Sequence, residues 1–291
     1  MTQTIVTHSG NFHPDEIFAV ATLLLIYPEA RVIRSRDSLD WEKADIVVDV
    51  GGVYDSTKNK FDHHQAEGAG KRDNGIPYAS FGLIWKHFGE KLVNKEELEI
   101  VDLKLVAPID AIDNGVALSK PDFDGVREYS IQDFLFSHVD SSRTDAEYLF
   151  ETFMQLVNIA KDLLIREIGQ AQNIVVGMKE VRDIIEQTED KRIIILPKDL
   201  PWGKVLADIP ETLYVVYPRK EGNWGVKAVR KDINKFELKK PLPESWLGKE
   251  KEDLAKITGV SDVLFIHKAK YLAAAQSKEG AIKLALIALS A

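Results

Sequence analysis

Apolar positions along this chain fall into two textures. In the first, short β-branched runs alternate with segments of helical length. "TIVTH" (4–8) is β-branched and ends in a histidine, and "DEIFAVATLLLIY" (15–27) has the length and apolar content of a buried helix. "RVIRSR" (31–36) alternates apolar with polar, and "ADIVVDVGG" (44–52) runs apolar until two glycines stop it. Strands alternating with helices predict an α/β unit on a parallel sheet. A strand as continuously apolar as "IVV" predicts cover on both faces. "YASFGLIWKHFGEKLV" (78–93) and "KEELEIVDLKLVAPIDAID" (95–113) read as helical. From about 144 to 187 the pattern is long, amphipathic and almost free of Pro and Gly, which predicts a helical connector.

After "TED" (188–190) the second texture begins. "RIIILP", "TLYVVYP" and "NWGVKAVRK" are short strands separated by turn residues, "PLPESWLG" (241–248) is a proline-punctuated loop, and "KEGAIKLALIALS" is a closing helix. The expected organisation is therefore an α/β chain in three parts. These are a parallel-sheet domain over 1–143, a helical connector over 144–190, and a smaller C-terminal α/β domain over 191–291.

Charge divides the chain along the same line. Residues 191–291 carry 19 Lys and Arg against 12 Asp and Glu, a surplus of +7, which leaves −15 for residues 1–190 out of a total of −8. An acidic part suits cations and a basic part suits phosphates. The absence of cysteine excludes disulfides and thiolate metal sites, and it fits a reducing cytosol. The start "MTQTIVTHSG" lacks a basic region followed by an apolar run, and the longest apolar stretch (17–27) falls short of the roughly 20 residues a bilayer requires. A cytoplasmic protein without membrane contact is the expectation.

Candidate chemistry gathers at strand and helix ends. His8 follows the first strand, and His13 and Asp15 lie in the loop leading to the first helix. Asp49 ends the apolar strand of 44–52, where a carboxylate is costly unless paired or coordinated. Asp62, His63 and His64 follow another short β-like segment, "NKFDHH". In "PIDAIDNG", Asp110 and Asp113 are three residues apart and share a helix face, with Asn-Gly marking the helix stop. "HPDE" also reads as a plain helix start, with Pro14 early and Asp15 and Glu16 in the first turn. Ligands of open α/β sheets collect at the carboxyl ends of strands, so these segments would converge on one edge. Imidazole mixed with carboxylate suits Mn²⁺, Fe²⁺, Co²⁺ or Zn²⁺ better than Mg²⁺. Six or seven such ligands suit two ions sharing a carboxylate, an arrangement that stabilises both oxygens of an in-line phosphoryl displacement.

These motifs resemble the DHH phosphoesterase superfamily, whose signature triplet stands here as Asp62-His63-His64. More closely they resemble the melanocyte-proliferating-gene family, through "THSGNFHPDE", "RSRD", "ADIVVDVGG", "FDHHQ", "IDAIDNG", "LPWGKVL", "WGVKAV", "PLPESWLG" and "KEGA". The resemblance implies that His8, His13 and Asp49 hold one ion and that Asp15, Asp49, His63 and Asp113 hold the second. His13 stands where most of the superfamily has aspartate. Asp110 competes with Asp113 for the last position, and "DNG" favours Asp113. His64 would face the scissile phosphate, and Asp62 would orient a histidine.

The implied cofactor is a pair of divalent ions, Mn²⁺ first, with Mg²⁺, Co²⁺, Fe²⁺ or Zn²⁺ as alternatives. The implied activity is that of a 3′–5′ exoribonuclease or short-oligonucleotide hydrolase using metal-bound hydroxide, with single-stranded RNA as partner. A homodimer is the default assembly. In the superfamily a glycine-rich loop of the C-terminal domain grips substrate; the comparable stretch here is 267–280, with Ala273-Ala274-Ala275 in place of glycines. His267 at its head, with Lys227 and Arg230, are the candidates for substrate contact. Trp224 beside the basic cluster could stack on a base or belong to the core. Two other functions fit the same residues: hydrolysis of a small phosphate compound such as pyrophosphate or a nucleotide, and a metal-binding scaffold without turnover, which the alanine-rich loop would favour.

Overall fold

A computed structural model describes residues 2–291 and divides the chain into two compact units, one ending at Gln172 and one beginning at Asn173. In the first, β1 (Thr4–Thr7), β2 (Arg31–Arg34), β3 (Ile46–Val48), β4 (Tyr54–Asp55) and β5 (Lys60–Phe61) form one sheet in the order β2-β1-β3-β5-β4. All neighbours are parallel except β4, which runs antiparallel to β5. Helices α1 (Pro14–Ile26), α2 (Ser38–Lys43), α3 (Ser80–Phe88), α4 (Lys95–Val101), α5 (Ala107–Asp113) and α6 (Ile131–Phe136) complete this unit together with the first part of α7 (Ala146–Gln187).

The period-2 alternation of the central strands explains the layers. Ile5, Ile46, Val48 and Phe61 join the large core beneath α1 and α3, while Val6 and Val47 point to the opposite face, against Trp41 and Val50. Because the chain passes from β1 to β2 on one side and then crosses back to β3 on the other, the order reverses at β1. The carboxyl ends of β1, β3 and β5 therefore open together on one edge of the sheet. The helix expected over 95–113 is interrupted by a π-helical stretch, Asp102–Val106. Pro108 has no N–H to offer the carbonyl four residues earlier, so the ladder shifts register there.

The second unit has β6 (Ile193–Ile195), α8 (Gly203–Ala207), β7 (Tyr214–Pro218), β8 (Trp224–Ala228), α9 (Lys251–Thr258), β9 (Val263–Ile266), β10 (Leu272–Ala275) and α10 (Lys278–Ser290). Its sheet order is β6-β7-β8-β10-β9, antiparallel except for β6 with β7. One expectation is corrected here. Ala273, Ala274 and Ala275 are not a loop; they form β10, paired on both sides and fully buried. Ala273 and Ala275 share a core with Ala281, Ala285 and Ala288 of α10, where small side chains let helix and strand pack closely. Glycine-like backbone freedom is therefore not at issue in this segment.

Each part of α7 buries apolar residues in its own unit. Phe153, Leu156, Val157, Ala160 and Leu164 are buried in the first core, and Met178, Val181 and Ile185 in a core of the second. Among the described residues, no helix is long and apolar enough to cross a membrane. Leu156→Ala is expected to lower the unfolding free energy by about 2–5 kcal/mol in urea denaturation. Ile165→Ala, on the exposed face of the same helix (53% exposed), is expected to stay within about 0.5 kcal/mol.

Candidate metal centre

The residue on which the site turns is Asp49. It follows β3 directly, and its backbone takes a positive φ of 56°, a conformation that aspartate and asparagine tolerate better than other side chains. Its N–H is retained by the Phe61 carbonyl at 3.0 Å, which ties the turn to β5. The side chain is nearly buried, and its two oxygens face two sets of groups. Oδ2 lies 3.3 Å from His8 Nε2, at the end of β1. Oδ1 lies 3.4 Å from His63 Nε2 and 3.6 Å from His64 Nδ1, and it accepts a hydrogen bond from Ser80 Oγ at 3.1 Å.

Around His8 the second partner is Glu16, 3.0 Å from Nε2. Glu16 closes the capping box of α1, accepting the His13 backbone N–H on both oxygens at 2.9 and 2.8 Å, and is fully buried. The His13 ring is half exposed, 3.9 Å from Glu16 and 5.8 Å, centroid to centroid, from His8. His8, His13, Glu16 and Asp49 thus form one group whose donor atoms converge to within 4.8 Å.

On the other side, Asp15, His63 and Asp113 form a second group, and Asp49, His63 and His64 a third. Asp15 is fully buried and fixed by the first amides of α3, accepting from Ser80 N at 2.9 Å and Phe81 N at 2.7 Å. Placing a carboxylate on a helix N-terminus offsets part of its burial cost. Asp113, the last residue of α5, reaches His63 Nε2 at 3.0 Å, with Asp15 at 3.9 Å. Yet this buried nitrogen has no well-formed hydrogen bond, although three carboxylates face it. A nitrogen and carboxylate oxygens converging without hydrogen bonds among themselves fit a divalent cation, which takes lone pairs from both. These buried His/Asp clusters can hold metal ions.

His64 is 62% exposed, with Nδ1 2.7 Å from Asp62 Oδ1. Asp62 is itself buried and also accepts from Gly52 N at 2.6 Å and His64 N at 3.1 Å. Burial opposes its charge, but His64 and these amides hold its carboxyl below the usual range. The Asp62 hydrogen bond in turn raises His64.

Asp110 is not among the residues brought together. It is buried against Arg72, Nη1 to Oδ2 at 2.7 Å, and accepts from Gly82 N at 3.0 Å. Arg72 also grips Asp102 with two hydrogen bonds of 2.8 and 2.7 Å. Burial pushes the Asp110 carboxyl up to about 7, even against Arg72. Lys227, Arg230 and His267 lie in the second unit. Lys227 is on β8, Arg230 follows it, and His267 follows β9 with its ring 4.4 Å from Tyr271. Trp224 is half-buried on β8, with Lys278 over its ring at 5.6 Å. Glu16 and Ser80 are the groups that sequence reasoning passed over. The capping-box spacing from His13 to Glu16 was visible, whereas nothing local marked Ser80.

Fold and donor set define a two-unit α/β protein with a candidate metal centre at the carboxyl edge of its first sheet. The chain belongs to the MYG1 exonuclease family: the model of that family, described as Uncharacterised protein family (UPF0160), matches residues 4–289. A MYG1 protein of Schizosaccharomyces pombe is 32% identical, over 98% of this chain and 97% of its own length. Proteins named MYG1 exonuclease are similar at 30% identity in Bos taurus and 28% in Homo sapiens, each over 98% of this chain and over 84% and 85% of their own lengths. No solved structure matches the chain.

Two outcomes are expected. Burial opposes charge on both imidazoles, yet Asp49 and Glu16 push His8 up to about 10, and Asp113 and Asp49 push His63 up to about 11. An incoming cation must displace those protons, so Mn²⁺ affinity should rise with pH between about 6 and 8, roughly tenfold per unit for each proton displaced. Calorimetry in two buffers of different ionisation enthalpy reads the proton release, and a flat pH profile would contradict this arrangement. At Gly82, an added Cβ would sit 1.8 Å from Asp110 Oδ2 and 2.8 Å from Arg72 Nη2. Gly82→Ala is therefore expected to break the buried pair and cost about 3–5 kcal/mol in a urea titration.

Proposed function

We propose that the chain is a metal-dependent phosphodiesterase that shortens single-stranded RNA or short oligonucleotides from the 3′ end. The observation that carries this reading is Asp49, one buried carboxylate with one oxygen beside His8 and the other beside His63. The names of the cattle and human relatives support the exonuclease class.

His8, His13 and Asp49 would hold one divalent ion, and Asp15, Asp49, His63 and Asp113 a second, with Asp49 common to both. The mixed imidazole and carboxylate set suits Mn²⁺, Fe²⁺, Co²⁺ or Zn²⁺, of which we take Mn²⁺ first. When bound, such a pair supplies Lewis acidity to the attacking and leaving oxygens and acidifies water.

The chain's own groups do the positioning. Two α3 amides orient Asp15, and Ser80 Oγ orients Asp49, so the carboxylates are set in advance. Asp62 accepts a hydrogen bond from His64 Nδ1–H, which leaves the Nε2–H of the protonated ring as the donor for a phosphate oxygen. Because Asp62 raises the imidazole, that donor keeps its positive charge to higher pH than a free histidine would. The scaffold reading loses its supporting feature, since Ala273–Ala275 are buried strand. The cysteine-free composition supports a reducing compartment such as the cytoplasm.

The test is Mn²⁺-dependent shortening of a 5′-labelled RNA, with EDTA and a matched DNA strand in parallel. Stepwise loss from the 3′ end should vanish in EDTA and in Asp49→Asn, a variant that keeps the side-chain type tolerated at positive φ. Asp62→Asn should slow it about 10–100-fold. Intact RNA with Mn²⁺ still bound would overturn the nuclease reading, and turnover of pyrophosphate in its place would favour the small-phosphate one.

A further inference from the structure

The second unit holds a cavity of about 300 Å³ that the metal centre does not use. Trp202, Phe236 and Tyr271 form its aromatic lining, and Lys227 and Arg230 are its cations. Lys227 Nζ lies 5.4 Å from the Trp202 ring centroid and 5.8 Å from that of Tyr271. The Arg230 guanidinium sits 5.3 Å over Phe236, which meets Tyr271 edge-on at 5.7 Å. The Tyr271 ring also packs against that of His267, their centroids 4.4 Å apart and their planes tilted by 51°.

Among the described residues no carboxylate comes within 4.0 Å of Lys227 or Arg230, although the field of Asp199 reaches Lys227. Arg230 gives one hydrogen bond to the Ile233 carbonyl at 3.1 Å. Burial lowers the Lys227 pKa, and the neighbouring charge of Arg230 lowers it further. The ring faces offset part of the cost of holding two cations together, but repulsion and desolvation remain, and an anion entering between them would relieve both. The size is at the small end of ligand sites, which run from about 300 to 1,000 Å³. That is room for a single ring-bearing unit.

We infer that this cavity binds one nucleoside monophosphate unit, its base stacked on the Trp202 and Tyr271 rings and its phosphate held by Lys227 and Arg230. Aromatic faces accept any base, and the two cations select for the phosphate, so recognition is of a nucleotide rather than of a sequence. This inference rests on the phosphodiesterase reading for the origin of the ligand, which is either the end of a strand or a free nucleotide.

The experiment is calorimetric titration of the full chain in EDTA with AMP, adenosine, inorganic phosphate and an adenylate trinucleotide. AMP is expected to bind about tenfold or more tightly than either adenosine or inorganic phosphate. Lys227→Gln and Arg230→Gln should each weaken it about tenfold. Tyr271→Leu should do the same for the base, and circular dichroism would verify that each variant is folded. Trinucleotide binding through these residues assigns the ligand to a strand end, and binding of AMP alone assigns it to a free nucleotide; both uphold the site. AMP binding no tighter than that of inorganic phosphate, or unchanged in both cation variants, overturns it. Hydrolysis plays no part, so an RNA-inactive chain that binds AMP sinks only the nuclease reading. An active chain whose AMP binding ignores Lys227 and Arg230 sinks only this one.

Discussion

A carboxylate held at positive φ on the end of a buried strand is the constraint around which the first unit is arranged. Asp49 can neither retreat to solvent nor relax its backbone, so its charge has to be met where it stands. The sheet order meets it. With β1 and β5 flanking β3, His8 and His63 are delivered to its two oxygens from either side. Burial alone would raise the Asp49 carboxyl, but the two imidazoles hold it well below the usual range. The imidazoles are raised in exchange. Both imidazoles therefore hold their protons to higher pH than a free histidine would.

Support for this pair comes from backbone as much as from side chains. The start of α3 supplies two amides to Asp15 and a hydroxyl to Asp49. The start of α1 binds Glu16 back onto the His13 amide, which aims Glu16 at His8. Asp110 and Arg72 then pack behind α3, where Gly82 leaves the space they need. Helix termini are good places for carboxylates because their amides lack partners within the helix. Here two helices present such termini to one cluster, and that is why so many buried acids can coexist. Asp15 still carries a pKa raised well above normal, by burial and then by Asp49.

Much of this was legible in the chain. The short runs at 4–8 and 44–52 announced β1 and β3, and the unbroken amphipathic pattern after 144 announced α7, because burial on one face or both imposes its period on the sequence. The second unit was harder to read. "LAAA" has no β-branched residue and nothing that distinguishes a strand from a loop or helix; it becomes β10 because β8 and β9 pair with it on either side. Glu16 read as a first-turn acid, which it is, but its contact with His8 depends on how β1 sits against α1.

By itself, then, the sequence determined the types of donor and the segments that carry them: His8, His13, Asp15, Asp49, Asp62, His63, His64 and Asp113, all at the ends of strands or helices. Local pattern can do this because strand ends and helix caps are properties of a few consecutive residues. Only the tertiary structure decided between Asp110 and Asp113 as the neighbour of His63, since both share a face of one helix and what separates them is that Asp110, a turn earlier, meets Arg72 while Asp113, at the helix end, meets His63. It alone joined Ser80 and Glu16 to the cluster and turned an alanine run into the centre of a sheet. Those outcomes are set by contacts between residues far apart in the chain, and no local periodicity encodes them.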